Sequence, residues 1–381
     1  MEGKDLTLDL LYESSELSGK DLVDVQWTPA GDAFTYFQCS SQNDSRYVWS
    51  YDLKTRTKEV LIDSNYTPVL GIPEMEKLFA LSVYLWSPTG KDILLPSDAD
   101  LYLYDVASRS VRRLTYDEEI ERDPQLSPDG KKIAFIKNHN IYVLDIETGN
   151  VVPLTTEGRE HMFVGQFDWI YEEEFEIRTR FFWSPNSQYI AFLQLDETGV
   201  PEFSIVDFIP SENQVQTMRY PKGGENNSIV RVGVVSLDNP HVVWFDIGTE
   251  IDIYIPRIKW FPDSQSLAIY RLNRSQNRLE LMVGDVVSGE TWTVLVEAES
   301  KGWVDIHDDL TFLNDSEHFL WSSNRDGFRH LYLYDVHGQL IRQLTGGRWE
   351  VDTLIAVDEP NGLVYFSGSQ EKVWERYLYR V

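Results

Sequence analysis

Apolar and polar residues along this chain fall into short runs that alternate with a period of two, and the runs recur. The clearest copy is "LSPDGKKIAFIKNHNIYVLDIETGNVVPLT", Leu126 to Thr155. A turn of Pro, Asp and Gly opens it, an apolar strand follows, a second strand ends on Asp, and a third ends on Thr. Alternating β-branched and aromatic residues bounded by turn formers predict half-buried strands. The opening turn returns as "WTPAGDAFTYF" at Trp27, "WSPTGKDILL" at Trp86, "WSPNSQYIAFLQL" at Trp183 and "WFPDSQSLAIYRL" at Trp260. A degenerate copy, "FLNDSEHFLWSS", begins at Phe312. The Asp-terminated strand returns at Val48, Leu101, Leu281 and Leu331, and the closing Leu-Thr pair at Leu114, Leu154 and Leu344.

A repeat of roughly 40–60 residues made of short strands falls in the range of propeller blades. A β-helix would need a much shorter period, and a helical solenoid would show a 3.6-residue rhythm. The fold class is therefore all-β, a β-propeller, with about seven blade units visible. The segment between Trp183 and Trp260 is long but still alternates, and reads as an extended blade with excursions rather than a separate domain. The last unit, "VDEPNGLVYFSGSQEKVWERYLYRV", stops after its third strand. Residues 1–381 then read as one propeller domain, incomplete at its C-terminus and part of something longer.

Composition narrows the function. The chain is 42% hydrophobic and 13% aromatic, enough for a large core. Its 34 Lys and Arg face 62 Asp and Glu, a net charge of -28. Phosphate binding needs clustered cations, so a nucleic-acid partner is disfavoured, as is an anionic membrane surface. A cationic ligand such as a peptide ammonium would be drawn in weakly at physiological salt, although by itself the charge reads better as keeping a large soluble protein apart from its neighbours. One cysteine, Cys39, permits neither an intrachain disulfide nor a Cys-based metal site. The N-terminus, "MEGKDLTLDLLYESSELSG", has no basic region followed by an apolar stretch, and no apolar run approaches the ~20 residues of a membrane span. The chain reads as soluble, with its compartment left open, periplasm and cell exterior included.

Much familiar chemistry is missing. There is no G-x-S-x-G elbow, Gly-rich phosphate loop, H-E-x-x-H or EF-hand spacing, so no catalytic residue, metal or cofactor is assigned. The seven histidines are scattered. "WVDIHDDL" sets His307 beside Asp308 and Asp309, which reads better as a turn with solvated carboxylates than as a metal or proton-transfer cluster.

One stretch breaks the period-two rhythm: "FDWIYEEEFEI", Phe167 to Ile177. Phe167, Ile170, Tyr171 and Phe175 recur at three to four residues, predicting a short helix. Asp168 suits its N-cap, and Glu172, Glu173 and Glu174 fall in the early turns, where the helix dipole favours negative charge. Successive helical residues lie about 100° apart, so two of the three can converge while the third is carried aside. Two converging carboxylates suit a primary ammonium, which offers three donors and no acceptor, with each charge-assisted bond contributing about 1.5–3 kcal/mol. Local chemistry alone favours a solvated acidic turn.

The string "FDWIYEEEFEIRTRFFWSPNSQYIAFLQLDETGVPEF" resembles the propeller of the dipeptidyl peptidase IV family, prolyl oligopeptidase-like serine exopeptidases, and most of all its bacterial members. The likeness continues through "RYPKGGENNSIVRVGVV", "IYIPRIKWFPDSQSLAIYRLNRSQNRLEL", "WVDIHDDLTFL" and "DGFRHLYLYDV". The resemblance implies an eight-bladed propeller capping an α/β-hydrolase domain, and release of N-terminal dipeptides after Pro or Ala. It implies that Glu173 and Glu174 hold the substrate's free α-amino group, with Glu172 flanking. The catalytic Ser, Asp and His would lie in a hydrolase domain absent from this chain, which alone should be inactive. Some members add a propeller arginine near the substrate; "LTYDEEIERDPQLSP" offers Arg122, but no register assigns it. The partners implied are peptides with a free N-terminus, the chain's own hydrolase domain and a second copy, since members are often homodimers. Some relatives keep the triplet but have lost the nucleophile and act as protein-binding modules, which is the alternative reading.

Overall fold

The three repeated signatures each close a particular set of hydrogen bonds. The structure, a computed structural model, describes residues 7–8, 22–39, 46–63, 69–70, 83–97, 100–116 and 119–381. In the opening turns the fourth residue's N–H reaches the first residue's carbonyl, as in Gly130 to Ser127 at 2.8 Å and Ser187 to Ser184 at 2.9 Å. That fourth residue has a left-handed backbone in every copy: Gly31, Gly90 and Gly130 near φ 70°, and Ser187, Ser264 and Ser316 near φ 60°. Glycine meets this geometry without a Cβ penalty, whereas serine adopts it at some cost.

The Asp that ends the second strand of the repeat caps the next turn. Asp145 accepts from the Thr148 N–H and hydroxyl, both at 2.9 Å, and Asp105 and Asp285 do the same for the Ser108 and Ser288 N–H groups at 2.6 and 2.7 Å. The closing Thr pins the outer strand back onto its neighbour. The Thr115, Thr155 and Thr345 hydroxyls accept from the Leu101, Ile141 and Leu331 N–H groups at 2.8, 3.0 and 2.9 Å.

These units form seven sheets of three to five strands and one separate two-stranded hairpin among the described residues. Four of the sheets are plain four-stranded meanders: residues 23–63, 122–153, 253–298 and 311–343. The sheet at 69–113 gains a short parallel strand, Val69–Leu70, beside Ser110–Arg113. The sheet at 162–244 has five strands, and its excursion folds as the hairpin Glu202–Asp207 with Gln214–Arg219. The last sheet has three strands, Val351–Asp358, Leu363–Gly368 and Tyr377–Arg380. Central strands such as Lys132–Lys137 are buried along most of their length, while closing strands such as Val151–Pro153 and Leu340–Gln343 are exposed throughout.

The chain divides into two compact units, residues 1–133 with 145–150, and residues 134–144 with 151–381. The first has a core around Phe37, Val48, Ile62, Tyr84, Ile93 and Tyr102. The second holds the largest apolar cluster, which runs from Phe167, Tyr171 and Phe175 through Tyr254 and Ile255 to Trp321. The side chain of Cys39 lies outside the described residues.

Candidate functional site

The acidic triplet lies in the second unit, on the expected break from strand structure. The break is a single π turn, Ile170–Glu174, closed by a bond from the Phe175 N–H to the Ile170 carbonyl at 3.2 Å. A short helix of ordinary pitch was the expectation; the i→i+5 bond packs more residues into each turn, so neighbouring side chains fan out by less than the ~100° of an α-helix. Asp168 caps the turn as its sequence position suggests. One of its carboxylate oxygens accepts from the Tyr171 N–H at 3.0 Å and the other from the Ser228 hydroxyl at 2.6 Å. Burial pushes its carboxyl above the usual range.

Aromatic packing fixes which side of the turn faces inward. Phe167 stacks on Tyr171 at 5.9 Å, Tyr171 meets Phe175 at 5.5 Å, and Phe175 meets Tyr254 at 5.0 Å. All four rings are buried. With that face in the core, the glutamates are left to the other side. Beyond Phe175 the chain turns sharply at Glu176, whose φ of 51° is left-handed, and the Ile177 N–H returns to the Tyr171 carbonyl at 3.0 Å.

The three glutamates then part company. Glu172 is half-buried and paired with Arg180 at 2.8 Å. Glu173 and Glu174 are exposed, and neither has a side-chain partner among the described residues. Two adjacent carboxylates are thus left exposed on a turn whose other face is packed in the core, while the third is paired with Arg180. No group of three or more His, Cys, Asp or Glu side chains among the described residues converges as a metal site would require.

Several residues that hold this turn went unread in the sequence. The Tyr171 hydroxyl, fully buried, accepts from the Ile255 N–H at 3.1 Å, and Arg257 donates to the Phe175 carbonyl at 2.9 Å. Asn227 donates to the Tyr254 hydroxyl at 2.6 Å, and Trp169 packs on Tyr220 at 4.8 Å. One signal was available: Pro256 inside "IYIPRIKW". Proline within a strand is confined to edges and bulges, and Ile253–Trp260 is both the edge strand of its sheet and bulged at Pro256.

The "WVDIHDDL" expectation needs correction. His307 and Asp309 are buried, and only Asp308 is solvated. His307 packs edge-on against Trp321 at 4.4 Å, and burial drives its imidazole down to about 4. Its Nδ1 accepts from the Asp309 N–H at 3.3 Å. The Asp309 carboxylate accepts from the Ser322 hydroxyl at 2.7 Å and from the Leu354 N–H at 2.8 Å, so its work is to join strands. The aromatic wall of Trp321 and Tyr270, distant in sequence, is what closes this turn off from water. Arg122 is exposed at the start of its strand in the other compact unit.

Repeated four-stranded meanders with buried central strands and exposed closing strands define an all-β protein of the propeller class. Residues 87–381 match the family model described as the dipeptidyl peptidase IV N-terminal region, and the chain belongs to that family. A probable dipeptidyl peptidase 4 of Emericella nidulans is 28% identical over 99% of this chain and 51% of its own length. One of Aspergillus fumigatus is 30% identical over 90% of this chain and 48% of its own. The crystal structure of Porphyromonas gingivalis dipeptidyl peptidase 4 superposes with a TM-score of 0.87 at 27% identity, covering all of this chain and 54% of that one. The chain thus spans about half the length of the curated relatives it matches.

Proposed function

We propose that this chain is the substrate-recognising and gating propeller of a dipeptidyl peptidase, with Glu173 and Glu174 holding the free α-ammonium of a peptide and Glu172 flanking them. The observation that carries this reading is the division of labour within the triplet. Arg180 takes Glu172, while its two neighbours stay exposed and uncommitted on a turn whose other face is locked in the core. An ammonium spends two of its three donors on the two carboxylates and leaves one for a neutral acceptor. Fixing the amine fixes how far along the peptide a nucleophile can reach, so the pair acts as a ruler for dipeptide release. The nucleophile would come from a hydrolase domain of the same polypeptide, and the expected products are Xaa-Pro and Xaa-Ala dipeptides. That relatives named dipeptidyl peptidase 4 are about twice as long as this chain supports this arrangement.

The test is kinetic. In the polypeptide that includes the hydrolase domain, Glu173→Ala and Glu174→Ala should each lower kcat/KM on an Xaa-Pro chromogenic substrate by on the order of 10–1,000-fold. Normal cleavage by both variants would overturn the assignment. The alternative, a protein-binding module on a relative without a nucleophile, predicts a replaced G-W-S-Y-G-G-like elbow in the continuing sequence. A second copy of the chain is the proposed self-partner, supported by the apolar tip of the hairpin excursion, where Phe208 and Ile209 are 73% and 94% exposed.

A further inference from the structure

The strand Ile253–Trp260 carries a bulge, and the bulge is where the acidic turn is fastened. Against the strand Ser266–Asn273, Tyr254 lies opposite Leu272 and Arg257 opposite Tyr270, so Ile255 and Pro256 together face one residue. A bulge leaves backbone groups without ladder partners and re-aims the side chains beside it. Here Pro256 has no N–H to lose. The Ile255 N–H goes to the Tyr171 hydroxyl at 3.1 Å, near the start of the turn. The re-aimed Arg257 donates through Nη1 to the Phe175 carbonyl at 2.9 Å, one residue past Glu174. That carbonyl lies at the turn's C-terminal end, where peptide oxygens lack internal partners and favour a cation.

A guanidinium anchored one residue past Glu174 is also a hazard. Free to swing, it would pair with them and occupy the acceptors meant for an ammonium. Asp308 prevents this by taking the rest of the fork, with Nε to Oδ1 at 2.5 Å and Nη2 to Oδ2 at 3.3 Å. A two-point grip of this kind fixes orientation as well as charge. Arg257 is 21% exposed and Asp308 76%, so the partner that does the holding faces solvent.

We infer that Arg257 is the positioning residue of the Glu173–Glu174 pair and that Asp308 keeps its charge turned away from them. The geometry stands by itself; the consequence for substrate rests on the ammonium reading above. Neutralising Asp308 releases the arginine toward the carboxylates, so Asp308→Asn should raise KM for a free-amine dipeptide substrate about tenfold while kcat stays within about twofold. Arg257→Met loosens the turn, so KM rises and kcat falls as the ruler loses its fixed end. Arg257→Lys should not rescue, because a point charge cannot span the carbonyl and both carboxylate oxygens. The double variant Arg257→Met/Asp308→Asn should be no worse than Arg257→Met alone, since no arginine remains to intrude.

The experiment combines these kinetics, in the polypeptide that includes the hydrolase domain, with fluorine NMR of fluorotryptophan-labelled protein. The resonance of Trp169, which adjoins the turn, is assigned by Trp169→Phe. Arg257→Met should shift or broaden it. Arg278→Met, which removes an exposed arginine paired with Glu280 elsewhere, should not. An unmoved Trp169 resonance in Arg257→Met, an unchanged KM in Asp308→Asn, or additive losses in the double variant would each overturn the inference. If Glu174→Gln leaves KM unchanged while Arg257→Met moves Trp169, the ammonium reading fails and the clamp on the turn stands.

Discussion

His307 shows how far a single side chain depends on its surroundings. Its ordinary value is 6.5, and burial between Trp321 and Tyr270 brings it down to about 4. Between those values the unfolded chain binds a proton that the folded one refuses, so stability is present above about 6.5 and drains away as pH falls toward 4. Urea denaturation at pH 7 and pH 5 should show this loss, and His307→Gln should flatten it; an equal slope in both proteins would contradict the buried, neutral imidazole. Asp309→Ala should cost about 1–3 kcal/mol, because it leaves the buried Leu354 N–H and Ser322 hydroxyl without their acceptor. A chemical-denaturation midpoint equal to that of the parent protein would refute this. The sequence placed His307, Asp308 and Asp309 side by side but could not sort them. Which of three neighbours is buried depends on rings contributed by other strands.

At the scale of elements, the repeat was legible because each signature performs a local task. Asp145 is held down to about 2 by the Thr148 backbone and hydroxyl, then by Lys132. Its folded value lies below the ordinary 3.8, so this cap's contribution is present above that value and fades as pH falls through 2. The acidic turn was legible only in part. The spacing of Phe167, Tyr171 and Phe175 announced a helical break and Asp168 announced its cap. One turn is too short for sequence periodicity to separate α from π, and the bulge at Ile255 and Pro256 lies more than eighty residues away. Tyr171→Phe keeps the ring and removes only the acceptor of the Ile255 N–H, so it should destabilise by about 1–3 kcal/mol. Thermal unfolding checks this, and an unchanged midpoint would mean that the bulge does not fasten the turn.

At the scale of the molecule, a net charge of -28 would, on the proposed function, favour approach of a cationic peptide end over distances that salt screens. KM for a dipeptide substrate should therefore rise with ionic strength, more steeply for one with a second positive charge. Identical salt dependence for neutral and cationic side chains would remove the long-range contribution. Ile209→Glu, at the tip of the hairpin, should shift sedimentation toward the monomer if that tip meets a second copy, and no shift would exclude it. The amino-acid order alone determined the all-β class, the blade-sized repeat, the break at Phe167 to Ile177 and the identity of the acidic triplet. Each of these is written in local spacing, turn chemistry and period-two burial. Only the tertiary structure decided that Glu172 is spent on Arg180, that the turn is π, that Arg257 and Asp308 stand behind it, and that Asp309 is a buried strut. Those depend on contacts that local spacing does not specify: the path of the chain just beyond the turn brings Arg180 to Glu172, and sheet register and a bulge bring Arg257, Asp308 and Asp309 to partners far away in sequence.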